Sequence, residues 1–290
     1  MITRRNILRS AVLLGGATTL GSATVFSQES KPATDVDSDL IYSTMLGWKI
    51  GPHCYSFRLF PFDVAIKKCV AVGARSFEIS SGQKLVAGRE VKTNLNMSKS
   101  DLKLFRKILV DNSCTPHVMG ICPAERKHFD FAAELGVSVL NTEAPFERLE
   151  EINQLADEYK INVALHNHPK PSIYWNPDII LERLKNCGSR MGACCDTGHW
   201  VRSGLDPVEC IKKLGNRIFS FHIKDINEKH IDVPLGSGIC QIADVLKTTA
   251  LQHIRAVFSV EYESSWENNV PQIAEGIRFF HQTAKEIMLS

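Results

Sequence analysis

Short apolar runs alternate with amphipathic stretches along this chain from about residue 47 onward. Runs of strand length occur at 49–54, 75–79, 114–119, 137–141, 162–166, 191–195, 218–223 and 257–261. Between them, apolar positions recur with helical spacing at 63–72, 99–111, 123–135, 146–159, 177–186, 207–214 and 239–249. Eight strands that alternate with helices predict an α/β fold, a (β/α)₈ TIM barrel over residues 47–290. A doubly wound open sheet is the alternative, but no GxGxxG motif follows the first strand.

Nearly every predicted strand ends in a side chain that can bind a metal or move a proton. In chain order, the strand-end residues are Glu78, His117, Glu143, His166-Asn167-His168, Asp196 with His199, His222 with Lys224-Asp225, and Glu261 with Glu263. The carboxyl ends of barrel strands open at one mouth, so we expect these side chains to share one pocket. The residue two positions before most of them is small or polar, which predicts that this set faces the barrel axis.

Each strand-end residue also has an ordinary interpretation when it is taken alone. Asp196 can cap the following helix, and His199 can lie on a loop without a function. The number of such residues at corresponding positions argues against coincidence. Buried carboxylates crowded at one mouth repel one another unless a cation or shared protons intervene, so the pattern favours one bound divalent metal ion.

The first 27 residues have the composition of an export signal. Arg4 and Arg5 precede an apolar run over 11–26 that is rich in alanine, glycine and threonine, and the paired arginines indicate the twin-arginine route. The run is short and glycine-rich for a membrane span, so we favour a cleaved signal peptide over an uncleaved anchor. Residues 28–46 are expected to form a polar linker. The mature protein is expected in the periplasm, with no membrane attachment after cleavage.

Composition narrows the choice of partner. The formal net charge of the 290 residues is +2, which gives no general attraction to nucleic acid or to an anionic membrane. Nine cysteines without a CxxC pair do not form the pattern of a disulfide framework or of a structural zinc site. We therefore expect a small-molecule ligand and no nucleic-acid partner, and the oligomeric state is open.

Four motifs lie at the predicted mouth: Asp196-Thr197-Gly198-His199, His222-Ile223-Lys224-Asp225, Pro234-Leu235-Gly236-Ser237-Gly238 and Val260-Glu261-Tyr262-Glu263. On these motifs, the chain resembles the xylose isomerase-like TIM-barrel superfamily over about 48–280. That superfamily includes sugar isomerases and epimerases, inosose and dehydroshikimate dehydratases, and endonuclease IV.

The resemblance implies one divalent metal, held by carboxylates ending strands five and eight, an aspartate on strand six and a histidine on strand seven. Asp196, His222 and Glu261 match three of these positions. Strand five has His166 where many members have glutamate. Either His166 is the fourth ligand or Glu143 supplies the carboxylate, and we favour His166 by position. Two imidazoles in the set favour Mn²⁺, Co²⁺ or Zn²⁺ over Mg²⁺.

The function implied is that of a sugar isomerase or epimerase, which removes a proton next to a carbonyl group through a metal-stabilised enediolate. Glu143, His168 and His199 are the candidate bases, and Lys224 is expected to neutralise developing charge or to hydrogen-bond a sugar hydroxyl. Glu261 is both a metal ligand and the remaining member of the carboxylate pair used by epimerases.

Three alternatives remain open or are disfavoured to different degrees. Because an exported enzyme is expected to meet free sugars or oxidised glycosides, a lyase or dehydratase acting on an oxidised (3-keto) sugar or glycoside is the second hypothesis. A non-catalytic sugar-binding barrel is the third, because strand five lacks the usual carboxylate. Endonuclease IV chemistry is disfavoured, since that enzyme uses three metals, and His230 and Asp232 occur here in the reverse of its order.

Overall fold

This computed structural model describes residues 34–290. The predicted signal peptide, residues 1–27, lies outside the described residues. Within the described part, no helix has both the length and the apolar character needed to cross a membrane.

Eight parallel strands form a nearly closed barrel, as the sequence predicts. They are β1 (Lys49–Pro52), β2 (Ser76–Ser80), β3 (Thr115–Gly120), β4 (Val139–Thr142), β5 (Asn162–His166), β6 (Met191–Asp196), β7 (Ile218–Ile223) and β10 (Val257–Val260). Hydrogen bonds join them in the order β1-β10-β7-β6-β5-β4-β3-β2. A single parallel bridge between His53 and Glu78 links the two ends of this series. Two short strands, β8 (Asp225–Ile226) and β9 (Asp232–Val233), form a separate antiparallel hairpin after β7.

Helices connect and surround the strands. They are α1 (Thr34–Met45), α2 (Phe62–Ala71), α3 (Lys99–Asp111), α4 (Arg126–Leu135), α5 (Leu149–Tyr159), α6 (Pro177–Leu184), α7 (Thr197–Arg202), α8 (Pro207–Leu214), α9 (Ile242–Leu251) and α10 (Val270–Leu289). Side chains cap several of their first turns, as at Asn176 and Asp206, whose side-chain oxygens accept from backbone N–H groups two residues later. The predicted helices at 99–111 and 207–214 have the bounds found in the structure.

The stretch expected to be a polar linker is partly helical. Helix α1 occupies 34–45, inside the predicted linker at 28–46, and packs against α10. Ser43, near the end of α1, is buried and its Oγ lies 3.2 Å from His281 Nδ1 on α10. Helix α10 was not predicted from the sequence either. The apolar residues of α1 recur only weakly at helical spacing, so the local sequence does not predict a helix there. Packing against α10 stabilises it instead.

Alternate residues of the strands face two separate apolar regions, which confirms the predicted pleat. The inward set forms a small cluster inside the barrel: Val118, Val139, Ala164, Cys194 and Val257. The intervening residues, such as Phe77, Leu165, Cys195, Phe221 and Val260, belong to the main core beneath the helices. The inward cluster underlies the strand ends and closes the barrel below the mouth.

Candidate metal and substrate site

A cavity of about 450 Å³ opens at the carboxyl ends of the barrel strands. Six of the eight residues predicted for the site line this cavity: Glu143, His166, His168, His199, His222 and Glu261. The other two, Asp196 and Lys224, are fully buried beside it. The barrel thus brings together side chains that are far apart along the chain.

His222, the next-to-last residue of β7, lies at the centre of a buried network. Its Nε2 is 3.0 Å from both carboxylate oxygens of Glu78 and 3.2 Å from Asn141 Nδ2. Its Nδ1 is 3.2 Å from Glu261 Oε2. A carboxylate only accepts hydrogen bonds, so Glu78 makes Nε2 a protonated donor. Gly120 leaves room for this pairing, because a Cβ there would lie 1.7 Å from Glu78 Oε1.

Opposite charges in this network outweigh the effect of burial. Burial by itself would raise the pKa of Glu78, but His222 and His53 lower that pKa to about 2. Burial would lower the pKa of His222, but the neighbouring carboxylates of Glu78 and Glu261 raise it well above the ordinary value. In the absence of another cation, the pair is therefore an ionised carboxylate beside a protonated imidazole.

Lys224 is a fully buried lysine whose ammonium group is held by three carboxylates. Its Nζ lies 3.5 Å from Asp196 Oδ2, 3.4 Å from Glu261 Oε2 and 2.5 Å from Glu263 Oε1. Burial disfavours the charge, but these carboxylates offset burial and raise the pKa of Lys224 above its ordinary value. Gly198 accommodates the lysine stem, since a Cβ there would lie 2.9 Å from Lys224 Cγ. Asp196 and Glu261 therefore lie on either side of one ammonium group.

The last residue of β5 and the loop after it provide two histidines, His166 and His168, that share one carboxylate. Glu143 Oε1 lies 2.8 Å from His166 Nδ1 and 2.5 Å from His168 Nδ1. Burial would raise the pKa of Glu143, but hydrogen bonds from the two histidines lower it to about 2. Burial lowers the pKa of His166, whereas the hydrogen bond to Glu143 raises the pKa of His168. Both rings therefore donate from Nδ1, and the neutral His166 ring carries its lone pair on Nε2.

Asp196 caps helix α7 with one carboxylate oxygen and directs the other towards Lys224 and His199. Its Oδ1 accepts from the backbone N–H of His199 at 2.7 Å, so the helix-cap interpretation of Asp196 is confirmed. Its Oδ2 lies 3.5 Å from His199 Nε2 and has no hydrogen-bond partner among the described residues. Capping and ligation are therefore compatible roles for this carboxylate.

Three of the four residues in the predicted ligand set have a buried polar atom without a hydrogen-bond partner. His166 Nε2, Asp196 Oδ2 and His222 Nδ1 are buried and make no hydrogen bond among the residues described, although Asp196 Oδ2 lies 3.5 Å from Lys224 Nζ and His222 Nδ1 lies 3.2 Å from Glu261 Oε2. A buried polar atom without a hydrogen bond costs about 1–3 kcal/mol, so three of them on neighbouring strands favour a shared partner. The ring centroids of His166 and His222 are 4.6 Å apart. A mixed nitrogen and oxygen donor set of this kind fits a divalent metal ion.

Potential ligand atoms also cluster in smaller groups that overlap at these histidines. Within each group the atoms lie within 4.8 Å of one another, and the groups are His53 with His222 and Glu261, Glu143 with His166 and His168, and His166 with Cys194 and His222. His166 and His222 each belong to two of the three groups. The region around these two rings is therefore the densest in metal-binding atoms in the part of the chain described.

Two site residues escaped the sequence analysis. His53 Nδ1 lies 3.2 Å from Glu261 Oε1, and the predicted first strand ran through residue 54, which concealed that β1 ends just before His53. Asn141 faces inward from β4, donates to Glu78 Oε1 at 3.0 Å and accepts from Ser220 Oγ at 2.6 Å. Glu78 itself was noted at a strand end, but its pairing with His222 was not predicted.

His117 was expected at the mouth, and that prediction is wrong. It is the third residue of β3, which continues to Gly120, and it lies where the register of β3 shifts against β2. It is buried, and neither ring nitrogen has a hydrogen-bond partner among the described residues. Burial is the main cause that lowers the pKa of His117 to about 4, so the ring is neutral.

The family description "Xylose isomerase-like TIM barrel" matches residues 66–283 of this chain. The match covers well over half of the sequence and includes every residue of the predicted ligand set. The protein belongs to the xylose isomerase-like TIM-barrel family.

One group of curated relatives has a named activity. The chain is 31% identical over 85 residues to inosose dehydratase of Clostridium tetani, a match that covers 29% of this chain and 28% of that protein. The chain thus matches less than a third of the relative's length, and the likeness alone does not assign an activity here.

Solved structures share the fold over most of their length. An uncharacterised protein of Parabacteroides distasonis is 28% identical with a TM-score of 0.67, covering 81% of this chain and 99% of that one. A D-tagatose 3-epimerase-like protein is 19% identical with a TM-score of 0.66, covering 83% and 98%. A xylose isomerase-like protein of Mycobacterium smegmatis, solved in complex with magnesium, is 15% identical with a TM-score of 0.65, covering 78% and 89%.

Proposed function

We propose that this protein is a divalent-metal-dependent sugar isomerase or epimerase that removes a proton next to a carbonyl group. The observation that carries the proposal is the set of buried atoms without a hydrogen bond on His166, Asp196 and His222, next to the carboxylate of Glu261. When bound, the metal supplies Lewis-acid stabilisation of negative charge that develops on the carbonyl oxygen. The remaining steps belong to side chains around the cavity.

Under this proposal His166, rather than Glu143, is the fourth metal ligand. Glu143 accepts from His166 Nδ1, which leaves Nε2 with a free lone pair. Metal-binding histidines usually donate their second nitrogen to a carboxylate in this way, which fixes the ring and raises its basicity. Glu78 has the same relation to His222. The two imidazoles favour Mn²⁺, Co²⁺ or Zn²⁺ over Mg²⁺.

His168 is the residue that we assign to proton transfer. Its side chain is 46% exposed and lines the cavity, so its Nε2 is open to a ligand while Nδ1 is held by Glu143. The hydrogen bond to Glu143 raises the pKa of His168, which makes its imidazole a stronger base for taking a proton from the substrate and returning it to the product. Glu143, with a pKa of about 2, is the weaker base and orients the imidazole.

His199 and Lys224 take other roles in this proposal. Arg202 Nη1 lies 3.2 Å from His199 Nδ1, and because arginine only donates, His199 Nδ1 accepts and Nε2 carries the proton. Burial lowers the pKa of His199 to about 3, so the neutral ring suits hydrogen-bond donation to a sugar oxygen. Lys224 is fully buried and engaged by carboxylates, so it neutralises the ligand carboxylates and does not contact the sugar.

A dehydratase is the second candidate, and one structural feature favours it. Strand β5 supplies His166 where a second carboxylate base would be needed for proton exchange on both faces of a sugar carbon. With one well-placed base, His168, the site suits a single proton abstraction followed by loss of water. The local likeness to inosose dehydratase supports the same alternative.

Proton exchange in deuterated water distinguishes these reactions. Metal-loaded protein would be incubated with ketoses, aldoses and 3-keto-glycosides, and the products followed by NMR and mass spectrometry. An isomerase or epimerase produces a rearranged sugar in which one carbon-bound hydrogen is replaced by deuterium and no atoms are lost. A dehydratase produces a sugar derivative that has lost water. Removal of the metal with EDTA should stop either reaction. The experiment would be repeated with Mn²⁺, Co²⁺, Zn²⁺ and Mg²⁺. If no sugar exchanges a carbon-bound proton with the solvent in the presence of any of these ions, the proposal is wrong.

A further inference from the structure

A second cavity of about 460 Å³ adjoins the central one. His199 and Glu263 line both cavities, so the two share one polar wall. The rest of this side chamber is formed by Arg202 on α7 and by His230, Ile231 and Asp232 from the β8–β9 hairpin. We infer that the side chamber is a subsite for a second ring, so that the substrate is a glycosylated sugar rather than a free monosaccharide. This inference rests on the proposed sugar-processing function.

The side chamber is held in shape by hydrogen bonds that need no ligand. The guanidinium group of Arg202 lies 2.6 Å from Asp232 Oδ1, 3.1 Å from the carbonyl oxygen of His230 and 3.2 Å from His199 Nδ1. The other oxygen of Asp232 accepts from the backbone N–H of Glu263 at 2.8 Å. Ligand sites are usually pre-formed in this way, because a rigid wall reduces the entropy lost on binding.

The turn of the hairpin is equally well defined. Asn227 Oδ1 accepts from the backbone N–H groups of Lys229 and Ile231 at 2.9 and 3.1 Å. His230 adopts a φ of 61°, and its N–H donates to the carbonyl oxygen of Asn227 at 2.8 Å. These bonds fix Ile231 at the chamber, where its side chain remains 52% exposed. An exposed isoleucine beside fixed polar groups is suited to the apolar face of a ring that also has hydroxyl groups.

Charge decides against a phosphorylated substituent in the side chamber. The Arg202 guanidinium is neutralised by Asp232, and Glu263 at the shared wall is paired with Lys224. A phosphate dianion would therefore find no unpaired arginine or lysine among the lining residues, whereas a neutral ring needs none. Each cavity alone is within the range of about 300–1,000 Å³ that is typical of ligand pockets, so the pair can accommodate two rings.

The test compares sugars with and without a second ring. Binding of fructose, lactulose, turanose, glucose, maltose and phenyl β-glucoside to the metal-loaded full chain would be measured by isothermal titration calorimetry. Lactulose and turanose are compared with fructose, and maltose and phenyl β-glucoside are compared with glucose. We expect each two-ring ligand to bind at least roughly tenfold more tightly than its monosaccharide. Comparing the affinities of lactulose and maltose with that of phenyl β-glucoside shows whether the side chamber prefers a second sugar or an aromatic ring. Fructose 6-phosphate tests the charge argument and is expected to bind no better than fructose.

A blocking variant ties the effect to the side chamber. Ile231→Trp fills the chamber at an exposed position and is expected to remove the advantage of the two-ring ligands while leaving monosaccharide binding unchanged. Val110→Trp is the matched control, because Val110 is also an exposed apolar residue but lies on α3, away from the side chamber. This variant is expected to change the binding of neither the monosaccharides nor the two-ring ligands.

The outcomes separate this inference from the proposed function. Equal affinity for fructose and its glycosylated forms, or loss of both classes in Ile231→Trp, would overturn the inference while monosaccharide binding and proton exchange sustain the sugar-processing function. Tighter binding of the sugar phosphate would overturn it as well. If sugars of neither size bind and none exchanges a proton, the proposed function fails together with it.

Discussion

Two successive layers of inward-facing residues inside the same barrel have opposite chemistry. The apolar layer consists of Val118, Val139, Ala164, Cys194 and Val257. The polar layer, at the mouth, consists of Glu78, His166, Asp196, His222 and Glu261. On β5 and β6, members of the two layers are only two residues apart along the strand. Both layers are buried, so exposure to solvent does not distinguish them.

The difference shows how the fold separates stability from chemistry. The apolar layer excludes water below the mouth and lowers the local dielectric, which strengthens every charge interaction just above it. Unbalanced charge in the polar layer is therefore costly. Protonated His222 offsets Glu78, but Asp196 and Glu261 share the single ammonium group of Lys224 with Glu263. Under the proposed metal binding, a divalent cation would complete this balance, whereas the apolar layer has no charge to balance.

The largest effect is expected when the balance of charge in the polar layer is broken. In Lys224→Met, the carboxylates of Asp196, Glu261 and Glu263 lose their common counter-ion. Removing one partner of a buried ion pair typically costs about 3–5 kcal/mol, so we expect the metal-free variant to lose that amount of unfolding free energy. Excess Mn²⁺ or Zn²⁺ should restore part of the loss, as measured by denaturant unfolding with and without EDTA.

Lys213→Met is the control for this variant, because Lys213 pairs with Asp178 on the surface. Surface pairs contribute about 0–1 kcal/mol, so little change is expected. Equal losses in the two variants, or no rescue by metal, would contradict the charge balance described for the polar layer.

Asp196→Asn separates metal binding from folding, because asparagine caps a helix as well as aspartate does. The variant should keep the hydrogen bond to the His199 amide and lose one anionic ligand. We expect its metal affinity to fall more than about 100-fold. A loss of that size exceeds the roughly 10–100-fold effect of mutating a residue that only hydrogen-bonds to a metal ligand. Competition with a chromophoric chelator gives the affinity, and circular dichroism checks the fold.

Cys194→Ser is the matched control on the same strand, two residues earlier in the apolar layer. It should change metal affinity by less than about threefold, below the effect of a residue that supports a ligand. A loss as large as that of Asp196→Asn would mean that the apolar layer also contributes a ligand, which would break the distinction between the layers.

Much of this arrangement can be predicted from sequence, because local patterns determine it. The eight strands follow from short apolar runs, and the mouth residues follow from polar side chains at their ends. Contacts across the barrel are different. Glu78 and His222 are 144 residues apart, and nothing in the chain near either residue indicates that they pair. The helix α1 was missed for a related reason, since its docking on α10 is a contact between the two ends of the described chain.

The smallest predicted effect concerns the one position where the sequence left two ligands open. If Glu143 acts only by accepting a hydrogen bond from His166 Nδ1, Glu143→Gln should weaken metal binding about tenfold. That is the lower end of the range of about 10–100-fold for a residue that hydrogen-bonds to a metal ligand. If Glu143 binds the metal itself, the loss should match that of Asp196→Asn. His166→Gln completes the comparison and should exceed the effect of Glu143→Gln, because it removes the Nε2 donor. The reverse order of affinities would transfer the fourth ligand position to Glu143 and leave His166 as its supporting residue.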